Sequence, residues 1–217
     1  HVGMTVRAAE SGADEVINNT GMVEATSVHN VNGTIVLDAG DGKADVSGTL
    51  DASGKGADET GGTVSVTGNS VRIADSAKID ASGSLGGGKI SIGGDLHGAG
   101  PTPNAQTTTV GKATLSASAT ANGNGGTIAV WSDQSTQFSG SASARGAGTG
   151  NGGTVETSGG SLTVTNDAQV NAGAPIGLAG DWLIDPTDIT IANSGGTVSP
   201  TTIINSLVNN DVTESTT

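Results

Sequence analysis

Carboxylates, imidazoles and an indole are the groups in this chain that could do chemistry, and their spacing limits which. Asp38, Asp41 and Asp45 stand in the run DAGDGKAD, around glycines that favour a turn. Spaced carboxylates round such a turn suit calcium, which takes oxygen ligands. The run has neither a twelve-residue loop closed by Glu nor a G-G-x-G-x-D repeat, so solvated turn aspartates are the simpler expectation. Asp51 and Asp80 could be a stacked pair, and a polysaccharide lyase or hydrolase needs paired carboxylates. Their counterparts in the pattern below are Glu24, Ser116, Ser143 and Asn171, the mark of a tolerant outward position. No catalytic residue is assigned and no enzyme is expected.

The histidines are His1, His29 and His97, and none has a second His or Cys at ligand spacing, so no metal site is expected. Trp131, His97 and Asn104 are the candidates for binding a ligand. In TIAVW, Ile128 and Val130 take the inward phase, which puts Trp131 outward. There it either stacks a sugar ring or lies beneath residues 93–111, and the covered position is preferred. Asn18-Asn19-Thr20 and Asn32-Gly33-Thr34 are glycosylation sequons, at a frequency this Asn- and Thr-rich composition gives by chance.

The elements that must position these groups announce themselves by repetition. Ala25, Ala52, Ala81, Ala117, Ala144 and Ala172 recur at gaps of 27, 29, 36, 27 and 28 residues. Ile35, Val64, Ile90, Ile128, Val155 and Trp182 recur at gaps of 29, 26, 38, 27 and 27. Two ladders with one period indicate stacked structural repeats. Within a period, residues 62–67, 70–74 and 77–82 read as three short strands between Gly, Asn, Asp and Ser turns. Strands this short pair in parallel with their counterparts one period later. The expected fold is all-β: a right-handed parallel β-helix of about 27–29 residues per rung, with inward residues in stacks. Val64 should lie between Ile35 and Ile90, and the alanines should mark a tight corner.

One gap in each ladder is too long, and the excess contains Pro101, Pro103 and several glycines. Residues 93–111 are therefore expected to protrude as a loop. Rungs are expected over 1–192, with a linker over 193–217. Within the linker, Ser199-Pro200 reads as a helix start, and Ile203, Ile204, Leu207 and Val208 share a helical face. A further strand begins near Asp211.

Composition narrows the partners. Of 217 residues, 37 are Gly, and two Trp and one Phe are the only aromatics, so the core must be a narrow one of Val, Ile, Leu and Ala. The net charge of −13 argues against nucleic acid and against an anionic membrane surface. No run of apolar residues suits membrane insertion. There is no cysteine, which is compatible with export as an unfolded chain. No signal peptide is evident, and the chain reads as an interior piece of something longer.

Four segments carry a resemblance. GGDLHGAGPTPNAQTTTVG (93–111), GNGGTIAVWSDQSTQFSGSASARG (123–146), GNGGTVETSGG (150–160) and GDWLIDPTDITI (180–191) occur in this order. They resemble segments of large bacterial two-partner-secretion exoproteins of the filamentous-haemagglutinin and high-molecular-weight-adhesin type. The resemblance implies a secreted, cell-surface β-helical adhesin, exported unfolded through an outer-membrane secretion partner. Its implied ligands are a host-cell glycan or protein receptor, or biofilm polysaccharide. The NPNG- and NxxNG-type motifs of the family's secretion domain are missing, which places the chain in the interior repeat region and apart from the exporter. A purely structural shaft and a polysaccharide-active enzyme are the other two readings. No cofactor is called for beyond the calcium that Asp38, Asp41 and Asp45 suit.

Overall fold

The computed structural model describes residues 1–5, 15–25 and 33–216. His29 and Asn32 lie outside the described residues. The described residues wind through six turns, each laying one strand on each of three parallel sheets. The first turn is β1 (Val2–Thr5), β2 (Glu15–Asn19) and β3 (Met22–Glu24), and the second is β4 (Thr34–Asp38), β5 (Lys43–Val46) and β6 (Thr49–Asp51). The third is β7 (Thr63–Thr67), β8 (Ser70–Ile73) and β9 (Lys78–Asp80), and the fourth is β10 (Lys89–Ile92), β11 (Thr107–Val110) and β12 (Thr114–Ser116). The fifth is β13 (Thr127–Val130), β14 (Ser135–Phe138) and β15 (Ser141–Ser143), and the sixth is β16 (Thr154–Gly159), β17 (Ser161–Val164) and β18 (Gln169–Asn171). Two more strands, β19 (Asp181–Pro186) and β20 (Asp211–Glu214), extend the first sheet to eight. This is the solenoid that the repeat period predicts.

The ladders are the register. Ile35 pairs with Val64, Val64 with Ile90, Ile90 with Ile128, Ile128 with Val155 and Val155 with Trp182. All six are fully buried. Each large aliphatic side chain so buried contributes about 2–3 kcal/mol. Leu37, Val66, Ile92, Val130, Thr157 and Ile184 form the neighbouring inward column. Thr157 breaks the apolar run because Trp182, one turn above, needs an acceptor: the indole N–H donates to its Oγ1 at 3.0 Å. Outward residues of the same strands meet solvent or the excursion after β10.

The corner before the first sheet is the tightest point of the coil. From the second turn to the sixth, a ladder alanine accepts a hydrogen bond from the glycine that opens the next strand of the first sheet, the second of a doublet in all but the last: Gly62 to Ala52, Gly88 to Ala81, Gly126 to Ala117, Gly153 to Ala144 and Gly180 to Ala172. A Cβ on Gly88, Gly126, Gly153 or Gly180 would lie 2.0 Å from the carbonyl oxygen of the glycine one turn below. On the first glycine of the doublet, a Cβ at Gly87 or Gly152 would lie 1.7 Å from the carbonyl of Ala117 or Ala172, one turn above. Ala179 occupies this first position in the last turn, and is exposed. Among the described residues no further alanine corner lies above Ala179, so a methyl fits there. Ahead of the alanine, Asp51, Asp80 and Asn171 each accept the backbone N–H two residues on, at 2.8–3.0 Å.

Beyond β19 the three walls part company. The helix α1 (Pro200–Ser206) is the only α-helix among the described residues, and Ser199 caps it by accepting from Thr202 N at 3.1 Å. Its buried residues are Thr202 and Ser206, while Ile204, Leu207 and Val208 are exposed and Ile203 packs partly against the core. Of the apolar face read from the sequence, Ile203 alone meets the core, and the rest faces outward. The helix lies against β18, whose upper edge presents backbone groups, and a polar face answers them: Ser206 Oγ donates to Val170 O, and Asn210 Oδ1 accepts from Ala172 N. Thr197 O likewise accepts from Val164 N, at the upper edge of the second wall. The protruding segment is also shorter than 93–111, because β11 takes Thr107–Val110 into that wall; the excursion is 93–106.

Replacing Gly126 with Ala should cost about 3 kcal/mol or more, because backbone must move to admit the methyl. Ala179→Gly should change stability by about 1 kcal/mol or less. Denaturant midpoints of the two variants check this contrast.

Candidate functional site

The three candidate calcium ligands do not converge. Asp38 is half-buried at the end of β4, where its Oδ1 accepts from Gly40 N at 2.9 Å. Asp41 is exposed in the turn that follows. Asp45 is buried on β5, and both its oxygens accept from Arg72 Nη1 of the next turn, at 2.9 and 3.0 Å. Lys43 Nζ stands 3.2 Å from the same carboxylate. Asp45 is thus neutralised by cations of the protein, while Asp38 and Asp41 border a groove of about 570 Å³ with Asn69 and Asn104.

Asp51 and Asp80 do stack on adjacent turns, as the ladder implies. Their carboxylates are turned to the corner bonds described above. Burial works against ionisation at Asp51, but the hydrogen bonds from Ser53 and Lys55 hold its carboxyl below the usual carboxylate range. A general acid needs the opposite shift.

The excursion 93–106 folds back over the outer face of the first sheet and covers Trp131. The indole sits so close to Gly98 that a Cβ there would come within 2.4 Å of the ring, and one at Gly94 within 2.9 Å. Its N–H donates to Asp133 Oδ1 at 3.1 Å. Asn104 fastens the excursion: its amide donates to Gly98 O at 3.0 Å and to the same Asp133 oxygen at 2.9 Å. At the base, Asp95 Oδ1 accepts from Ser91 Oγ and Lys89 Nζ, both at 2.6 Å. Asn104 is consumed in holding the excursion, and Trp131 is packed beneath it. Trp131 and Asn104 are half-buried, and His97 presents most of its side chain to solvent, at 61% exposure.

The same excursion assembles a group that spacing along the chain does not reveal. Glu156 stands outward on β16, in register with Ala129 and Leu183, and the excursion buries it completely. Its Oε2 accepts from His97 N at 2.8 Å. His97 Nδ1 is 3.8 Å from Oε1, too far for a hydrogen bond. Asp185, on β19 and 6% exposed, completes a cluster whose donor atoms lie within 4.8 Å of one another. This is the only such group of three among the described residues that could hold a metal ion. His97 has φ +58°, the only positive value on a non-glycine among the described residues. Burial pushes the Glu156 carboxyl above the usual range and Asp185 adds to the rise, while the His97 N–H opposes it.

No family model matches the chain, and no curated protein matches it. Among solved structures, the crystal structure of the HMW1 secretion domain from Haemophilus influenzae is similar, with a TM-score of 0.65 and 34% identity. The likeness covers 77% of this chain and 43% of that one, so the chain spans less than half the length of its neighbour. The resemblance to two-partner-secretion exoproteins is borne out by this neighbour, in fold and in sequence together. The neighbour is a secretion domain by description. Among the described residues no helix is long and apolar enough to cross a membrane.

Because folding raises the Glu156 pKa, the folded chain keeps the proton at a pH where the unfolded chain has released it. This group's contribution is full at acid pH, and is lost as pH rises from the ordinary carboxylate range through the folded value. With chelator present, Glu156→Gln should be more stable than the parent at neutral pH. The difference should shrink as pH falls below the ordinary carboxylate range, read from denaturant midpoints across the range. Trp131→Ala should cost about 1–2 kcal/mol, less than the ~3–5 of a fully buried ring. It should also speed proteolytic cutting within 93–106 well before the turns unfold.

Proposed function

We propose that this chain is a shaft segment of a large secreted bacterial adhesin of the two-partner-secretion kind, working by display. One observation carries the reading: the inward column runs in register from Val2 through Trp182 to Val212, with no break across eight strands. A rod of that construction transmits position along its length, since every turn is bonded to two neighbours. The side chains best suited to gripping a ligand support the same reading, because Trp131, Asn104 and Asp45 are engaged within the fold. Attachment to a host-cell glycan, a protein receptor or biofilm polysaccharide then belongs to other parts of the parent molecule, which this shaft holds out from the cell surface.

The chemistry of export fits. The sequence has no cysteine to cross-link prematurely. Each turn closes on its neighbour across a chain separation of roughly one period, so folding can propagate turn by turn as the chain emerges from an outer-membrane transporter. A second reading is favoured by the neighbour's description as a secretion domain: the chain forms part of the region that engages the transporter. A polysaccharide-active enzyme is the least supported, since Asp51 and Asp80 are committed to corner bonds.

Purified chain should show no saturable binding to epithelial cells or a glycan array, with or without chelator, and Trp131→Ala should change nothing. Saturable, competable binding that falls in Trp131→Ala would replace the shaft with a recognition module. Secretion of the chain from cells that express the neighbour's transporter would favour the second reading.

A further inference from the structure

We propose that His97, Glu156 and Asp185 form a site for one first-row divalent transition ion, which pins the excursion 93–106 to the rod. The three residues come from separate places: the excursion of the fourth turn, the sixth turn and the strand above it. Nothing in the packing of a solenoid requires them to meet. Two buried carboxylates in one dry pocket are costly unless a cation offsets them.

The donor atoms themselves point to a ligand. Glu156 Oε1 and Asp185 Oδ1 are both buried with no hydrogen-bond partner. Glu156 is fully buried and Asp185 is 6% exposed, so water does not supply the missing contacts. Backbone geometry agrees: His97 holds a left-handed conformation that costs a non-glycine residue, and its N–H is thereby fixed on Glu156 Oε2. That leaves Oε1 and the imidazole Nδ1 facing each other at 3.8 Å. Two donors on one zinc ion stand about 3.3 Å apart at the tetrahedral angle, so a small shift of the exposed imidazole closes the gap.

The donor set selects the ion. An imidazole nitrogen with two carboxylates suits zinc, manganese or their neighbours, whereas calcium and magnesium prefer oxygen alone. Two carboxylates and a neutral imidazole carry a charge of −2 that a divalent ion cancels. The ion would tie the tip of the excursion to β16 and β19, bracing the rod from its fourth turn upward.

The test is calorimetric titration of chelator-stripped chain with zinc chloride and with manganese chloride, calcium chloride serving as control. The expected result is one transition ion per chain, with calcium much weaker. Loss of an outer-shell partner already costs about 10–100-fold in affinity, so loss of a ligand in His97→Ala or Asp185→Asn should cost at least that. The unfolding temperature of the parent should rise with saturating metal, and that of Glu156→Gln should not. Glu156→Gln keeps an oxygen acceptor for His97 N, so it should fold; Asp185→Asn provides an independent check if it does not. Equal zinc affinity in the parent and His97→Ala, with folding intact in both, would overturn the site and assign binding to surface groups. So would the absence of measurable binding at millimolar zinc.

Discussion

Backbone stacked directly on backbone at the glycine doublets is the constraint on which the rest of this fold depends. At that corner the carbonyl of one turn occupies the space where the next turn's Cβ would be. The close approach permits the bond from the second glycine to the ladder alanine, which shuts each turn. It also fixes the height of every turn against its neighbour, and so sets the register of all three walls at once. A core this narrow explains the composition. Val, Ile and Leu fill the columns, alanine fills the corner, and few larger rings are accommodated. Trp182 is accepted inward only with a hydroxyl, from Thr157, below it.

Much of this is legible in the sequence because it is periodic. The two ladders, the three strands per turn and the direction of Trp131 follow from counting residues. The helix start at Ser199-Pro200 is equally local, since a cap and a fixed φ act within one turn of chain. The docked face of α1 is another matter. Periodicity favours Ile203, Ile204, Leu207 and Val208, of which only Ile203 meets the core; the surface beneath is a sheet edge with backbone amides and carbonyls to satisfy, and Ser206 and Asn210 answer it. Hydropathy counts apolar residues and carries no record of an edge's hydrogen-bonding demand.

The cluster at His97 is hidden for a different reason. Glu156 occupies an outward position in the repeat, and by pattern alone is a solvated residue like the threonines around it. It becomes buried only because the fourth turn inserts 93–106 and the insert lies across two later turns. Where an insertion lands depends on its own hinges, here the positive φ values at Gly93 and Gly98 and the Asn104 amide. Each is an ordinary loop residue in sequence. Asp45 is the converse: it reads as part of a carboxylate trio, but Arg72 on the next turn claims it.

The excursion also makes the rod mechanically uneven. The bonds that join successive turns run along the axis, so a pull on the ends loads them directly and separates turns by peeling. From the fourth turn upward, 93–106 runs beside the sheet as a strap, bonded to Asp133 and Glu156 in later turns. Load applied there is shared between the sheet and the strap. The second and third turns are joined across their outer face by pairs such as Arg72 with Asp45, and at the corner by the segment 53–60, whose Glu59 N donates to Ser84 Oγ. A pull along the axis should therefore be resisted more evenly where the strap runs beside the sheet than where the sheet bonds stand alone.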